Sequence, residues 1–329
     1  MRRKTSASFL AIAALFLGLT SASSAKTEAI KIGYSDWPGW VAWQVAIEKG
    51  WLKEDGLNFS FQWFDYSASM DAFSAGRLDG VMVTNGDALV TGAAGARNVM
   101  ILITDYSNGN DMIVAKPGNA TLRDLKGKKI GIEVGLVEHL LLLDGLVKNG
   151  MSEKDVTLVN TKTNDTPQAL ASGKVDAVGA WQPNSGAAMK TVAGARPVYT
   201  SAEAPGLIYD AITVSPASFA ANKTAYVKLA KVWDRVVKYI NDPKTQDDAV
   251  RIMAKRVGLT PEQYKPLLKG THLIDLAEAK GVYKKGKGFG SLYGSSKIAD
   301  NFNVKYNVYP KAQDVNAYID SSVTDAAMK

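Results

Sequence analysis

The chain has no cysteine in 329 residues and only two histidines. The first absence excludes disulfides, thiolate metal sites and a lipid anchor through an N-terminal cysteine. The second leaves little material for imidazole catalysis: His139 precedes the apolar run Leu140 to Leu143, His272 sits in a Thr-His-Leu stretch, and neither stands at metal-ligand or triad spacing. Basic blocks are lacking too. The net charge of +7 includes three cations in the first four residues, leaving +4 for the rest, which serves solubility and gives no nucleic-acid footprint. No apolar run is long enough to cross a bilayer, and a mean hydropathy of -0.08 is that of a globular chain.

What the N-terminus does carry is Arg2, Arg3 and Lys4, then the apolar segment Phe9 to Leu19, then small residues including Ser23 and Ala25. Basic, apolar and small in that order is the pattern of a secretion signal. Residues 1–25 are therefore expected to be a signal peptide, with the mature chain beginning near Lys26 in the periplasm. Lys-Thr-Ser after the arginine pair does not fit the twin-arginine pattern, which favours the general route. About 300 residues remain, enough for two domains.

The chain resembles itself at an offset near 98 residues. Lys31-Ile32-Gly33 is matched by Lys129-Ile130-Gly131, and Ala72-Phe73-Ser74-Ala75-Gly76-Arg77-Leu78-Asp79 by Ala169-Leu170-Ala171-Ser172-Gly173-Lys174-Val175-Asp176. Too long a period for a solenoid, it reads as two versions of one α/β unit. In the first, strands are expected at Ile30 to Tyr34, Leu57 to Phe64 and Val81 to Thr84, with helices at Val41 to Lys49 and Ser67 to Ala75. In the second, strands are expected at Lys129 to Glu133, Val156 to Asn160 and Ala177 to Ala180, with helices at Glu138 to Lys148 and Thr166 to Ser172. Alternating strands and helices imply mainly parallel sheets flanked by helices. Gly76 and Gly173 then end helices, and Asp79 and Asp176 turn the chain into the next strand, outside any ligand site. Met112 to Lys116 and Ala211 to Ser215 are expected as two hinge crossings, dividing residues 26–112 and 212–329 (lobe 1) from 113–211 (lobe 2). Helices expected at Tyr226 to Ile240, Thr245 to Val257, Pro261 to Leu268 and Asp314 to Asp320 should pack on lobe 1.

Taken in order, Lys31-Ile32-Gly33-Tyr34, Ala46-Ile47-Glu48-Lys49-Gly50-Trp51-Leu52-Lys53-Glu54-Asp55-Gly56-Leu57, Leu78-Asp79-Gly80-Val81 and Leu122-Arg123-Asp124-Leu125-Lys126-Gly127-Lys128-Lys129-Ile130-Gly131 carry a resemblance across the whole mature chain. It resembles the nitrate, sulfonate and taurine group of periplasmic solute-binding proteins. The resemblance implies a two-lobed periplasmic binding protein of type II, a monomer without cofactor or metal that closes on a small solute and delivers it to the membrane permease and cytoplasmic ATPase of an ABC importer. Tyr34-Ser35-Asp36-Trp37-Pro38-Gly39-Trp40 is similar to the subgroup found beside urea carboxylase, which implies guanidine or a urea-like cargo.

Ligands of such sheets sit beyond the strand carboxyl ends. That rule selects Asp36, Trp37, Trp40, Asp65, Ser67, Thr84 and Asn85 from lobe 1, and Glu133, Glu138, Trp181 and Gln182 from lobe 2; Asp210 precedes the returning crossing. No lysine or arginine is among them, and Leu136-Val137 stands where, by the resemblance, sulfonate and nitrate binders offer hydroxyls at a helix N-terminus. Anions want such donors. Carboxylates beside indoles instead suit a cation or multiple N–H donor such as guanidinium, paired with an acid and stacked on a ring. Each residue has a plainer competing role: packing for Trp37 and Trp40, capping for Asp36 and Asp65, a first-turn dipole interaction for Glu138.

Three other readings stay open. One is taurine, aliphatic sulfonate or nitrate as cargo. Another is an enzyme on the same fold, a pyrimidine-precursor synthase or a lyase, against which stands the lack of cysteine. The last is a receptor-coupled sensor. Gly286-Lys287-Gly288-Phe289-Gly290 imitates a phosphate loop without the flanking strand and helix and is expected to be a turn.

Overall fold

The computed structural model describes residues 28–329, so the expected signal peptide lies outside the described residues. Two sheets organise the molecule. The first has six strands in the order β11-β4-β10-β3-β1-β2: β1 (Ile30–Tyr34), β2 (Phe59–Trp63), β3 (Gly80–Thr84), β4 (Val99–Ser107), β10 (Tyr209–Val214) and β11 (Thr271–Leu273). The second has five in the order β7-β6-β8-β5-β9: β5 (Asp111–Ala115), β6 (Lys129–Ile132), β7 (Thr157–Asn160), β8 (Ala177–Trp181) and β9 (Arg196–Thr200).

The repeat is visible in this topology. β2-β1-β3 of one sheet and β7-β6-β8 of the other are parallel trios, and on the far side of each trio an antiparallel strand follows, β10 against β3 and β5 against β8. The two acids that close the repeat do the same job twice: Asp79 Oδ2 accepts the Lys31 amide at 2.8 Å, and Asp176 Oδ2 the Lys129 amide at 2.9 Å, each pinning the first strand of its lobe. Gly76 and Gly173, at φ 70° and 78°, terminate the preceding helices as expected.

The crossings differ from expectation. Met112 to Lys116 and Ala211 to Ser215 fall largely within β5 and β10, buried in opposite sheets, and the chain passes between lobes just before each, at residues 108–110 and 201–208. Both strands have a partner on either side, so their backbone groups are satisfied by ladders within one sheet each. Sheets that are parallel in only three strands, with β4, β5, β9, β10 and β11 antiparallel, result from these crossings.

One apolar core runs through both lobes, anchored in lobe 1 by Trp43 and Trp233 with ring centroids 4.9 Å apart, and a smaller cluster of Val114, Leu170, Val175 and Val178 lies under the second sheet. The late helices Pro216–Asn241 and Gln246–Arg256 pack on lobe 1 as expected. Unforeseen helices are Asn85–Ala93 and Leu292–Lys305, which pack together; both are rich in small and polar residues that mute the helical period. Among the described residues no helix is long and apolar enough to cross a membrane.

Candidate functional site

The cleft between lobes has an outer pocket and a small inner chamber, with Trp181 lining both. Asp36 lines the outer pocket. Its Oδ1 accepts from Trp181 Nε1 at 2.9 Å and its Oδ2 from Asn184 Nδ2 at 2.7 Å, so a lobe 1 carboxylate is clasped by two lobe 2 donors. Burial raises its pKa, and those two bonds oppose the rise. Asp65 stands exposed at the outer rim, preceding the helix Tyr66–Ser74 without capping it through its side chain. Glu133 is buried across the cleft, where Ser67 Oγ donates to one oxygen at 3.1 Å and Thr163 Oγ1 to the other at 3.4 Å.

Behind this clasp, Trp37, Trp40, Trp181, Thr84, Asp111 and Asp210 line the inner chamber. Trp40 stacks on Tyr66 with centroids 5.2 Å apart, Tyr66 meets Trp181 edge-on, and the Trp40 Nε1 has no acceptor in the protein. Trp37 Nε1 donates to Asp105 Oδ1 at 2.7 Å, which fixes that indole. Thr84 caps the helix Asn85–Ala93, its Oγ1 accepting the Asp87 amide at 3.1 Å.

Acid residues dominate the interior. Asp210 and Glu138 are buried, neither Glu138 oxygen receives an N–H or a hydroxyl, and Asp210 Oδ2 is equally without a donor. Their neighbours are other carboxyls: Asp105 is the cross-strand partner of Asp210 on β4, and Asp111 and Glu138 are buried and act on each other through their charge, an arrangement that favours keeping a proton between the members of each pair. Burial first, and then the charge of the partner acid, pushes Glu138 and Asp210 well above the usual carboxylate range. Desolvation likewise raises Asp105 and Asp111 to about 6 and Asp87 to about 7. No lysine or arginine lines the inner chamber.

The helix Val137–Lys148 shows what the site does with its one conspicuous anion-binding feature. Leu136 gives it no side-chain cap, and the free Val137 amide donates to Asp87 Oδ2 at 3.3 Å, a carboxylate from the opposite lobe that also accepts from Tyr66 Oη at 2.6 Å. The position where an anionic guest would meet the helix dipole is thus taken by the protein's own acid.

Of the sequence candidates, the structure brings Trp37, Trp40, Thr84, Trp181 and Asp210 to the inner chamber and Asp36, Asp65 and Glu133 to the outer pocket; Glu138 adjoins Asp111. Three are placed elsewhere. Asn85 is engaged in architecture, donating to Ser295 and Ser296 and accepting the Tyr209 amide. Gln182 packs against Gly186 rather than into either pocket, and Ser67 lines neither of them but a further groove between the lobes, where it bonds Glu133. Sequence reasoning missed Asp87, Asp105, Asp111, Tyr66 and Asn184. One signal is available: Asp111 and Asp210 stand 99 residues apart, close to one step of the repeat, and lie at the starts of β5 and β10 opposite the strand ends Trp181 and Thr84. His139 accepts the Gly135 amide through Nδ1 in a buried site, and His272 stacks on Tyr106 and bonds Glu278 at the surface. The Gly286 to Gly290 stretch is a turn without regular structure, with Phe289 O held by Tyr209 Oη at 2.8 Å.

Residues 23–254 match the NMT1-like family. The chain belongs to that family. This NMT1-like chain is 31% identical over 196 residues to a putative binding protein of Brucella abortus (strain 2308), a match covering 59% of this chain and about 60% of the relative's length. Its two-lobed fold of type II periplasmic binding proteins recurs in solved structures. The alkanesulfonate-binding protein of Xanthomonas axonopodis pv. citri bound to MOPS superposes with a TM-score of 0.76 at 18% identity, covering 91% of this chain and 100% of the other. The periplasmic nitrate-binding protein of Synechocystis PCC 6803 gives 0.70 at 12% identity, with 92% and 88% covered.

Proposed function

We propose that this protein is the periplasmic solute-binding subunit of an ABC importer, a non-catalytic monomer that closes on a small cationic or urea-like nitrogen compound, guanidine being the type. It would hand the closed complex to a membrane permease powered by a cytoplasmic ATPase. Membership of the NMT1-like family and the fold support the transport part of the reading. One observation carries the cargo: Asp111 and Asp210 face one chamber, one acid from each lobe, walled by Trp37, Trp40 and Trp181 and with no basic side chain in its lining. A cation between them gains two charge-assisted bonds and a ring face, whereas an anion would face several carboxylates at a cost of some kcal/mol in a desolvated site.

A second reading has its own support. The similar solved structures are named for sulfonate and nitrate, so taurine, a short sulfonate or nitrate is the rival cargo. Isothermal titration of the mature protein with guanidinium chloride, urea, taurine, ethanesulfonate and nitrate separates them. Binding of guanidinium or urea is expected; tight binding of an anion alone overturns the cargo assignment.

A further inference from the structure

The chamber holds more acid than a small monovalent guest can neutralise. Asp105 with Asp210, and Asp111 with Glu138, are carboxyl pairs in which neither member has a basic partner, and Glu138 and Asp210 are buried with unpartnered oxygens. The groups facing these pairs come from every surrounding element: Asp87 from the helix Asn85–Ala93, Glu133 from the end of β6, Tyr66 from the helix Tyr66–Ser74 and His272 from β11. Of these only His272 is able to carry positive charge, and it lies at the surface with Glu278 as its ion partner. Lys162 lines a further groove between the lobes together with Glu133 and Ser67, acts on Glu133 from there, and is absent from the lining of the inner chamber.

We infer that cation capture by this protein is an exchange, in which one proton held among the Asp105–Asp210 and Asp111–Glu138 carboxyls leaves to solvent as the cation enters. The inference rests on the cation reading above. Two carboxylates forced together without a countercharge retain a proton between them, because both ionised would repel at close range in a site water does not screen. A guanidinium or ammonium ion brings the missing charge and its own donors, so the shared proton becomes superfluous and leaves. Charge balances: one cation in, one proton out, with no oxidant or co-reactant. A neutral urea-like solute brings no charge and releases none, so the pairs act as a charge selector whose preference for cation over neutral isostere grows with pH.

The test is isothermal titration of the mature protein with guanidinium chloride and with urea, between pH 5.5 and 8.5, in phosphate and in Tris, whose ionisation heats differ. For guanidinium, between about 0.5 and 1 proton released per site is expected, with affinity rising up to about tenfold per pH unit. Glu138→Gln breaks one pair and should lower the proton count while guanidinium still binds; should that variant not fold, Asp210→Asn reads the other pair. Clear guanidinium binding with buffer-independent heat and flat affinity overturns the exchange and leaves the cation reading intact. Equal proton release with urea also overturns it, since the protons would then report closure alone. Failure of any cation to bind at any pH overturns both.

Discussion

At the scale of single residues, burial alone does not mark a ligand contact here; what matters is whether a buried polar atom already has a partner. Asn85 is fully buried and Asp36 half-buried, yet the side chains of both are spoken for within the protein. Asp210, with an oxygen that no donor reaches, and Asp111 have capacity left. Asp210→Asn and Asp111→Asn should each weaken guanidinium binding by about 1.5–3 kcal/mol, the range for losing a charged hydrogen-bond partner, or roughly 10- to 150-fold in Kd. Glu133→Gln should cost less, because Ser67 and Thr163 already hold both of its oxygens and glutamine keeps one acceptor for them. A titration series over the three variants, with circular dichroism to establish folding, gives the ranking; equal losses would place Glu133 in contact with the solute.

At the scale of elements, the site depends on a close approach that only glycine permits. Gly39 lies in the short helix Pro38–Val41, and a Cβ added there would stand 2.2 Å from Asp105 Oδ2. Gly39→Ala must push that turn off β4, moving Trp37 and the Asp105–Asp210 pair with it, at a cost of about 1–3 kcal/mol of stability and a clear loss of affinity. Gly281→Ala, in the helix Leu276–Val282 where an added Cβ meets nothing, is the matched control and should be neutral or slightly stabilising in the same thermal melts. The parallel trios were legible in the sequence because period-2 apolar strands there alternate with capped helices, and the repeat displayed them twice. The antiparallel strands were not. β4 and β11 lie far from each other and from β10 in sequence, and the strand-end rule looks only where parallel strands finish. Since β10 and β5 run the other way, their starts, with Asp210 second in β10 and Asp111 first in β5, arrive at the very edge where β3 and β8 end. Asp210 was picked by its neighbourhood to a presumed crossing, and Asp111 and Asp105 escaped for want of that geometry.

For the whole molecule, the buried acids set a pH dependence of stability opposite to that of ordinary surface carboxylates. Asp87, at about 7, and Asp105 and Asp111, at about 6, keep their protons in the folded state at pH values where the unfolded chain, titrating near about 4, has released them. Raising the pH through that window therefore favours unfolding, by up to about 1.4 kcal/mol per pH unit for each group that stays protonated. Asp248, held down to about 2 chiefly by Lys49, is already ionised there and adds nothing. His139, lowered by burial, works the other way below its ordinary value, one imidazole against several carboxyls. Urea denaturation of the solute-free protein should show stability falling from pH 4.5 to 7.5, and Asp87→Asn should flatten that slope; a rise across the window would mean that these acids are ionised and compensated in the fold.

The near-twofold placement of Asp111 and Asp210 has a consequence for how the two lobes come together. Because each half of the clamshell brings its own negative charge to the shared wall, bringing the halves together at neutral pH without a countercharge works against electrostatic repulsion. If the importer reading holds, an unladen protein would thereby be discouraged from closing, so that cargo inspection and shape change become one event.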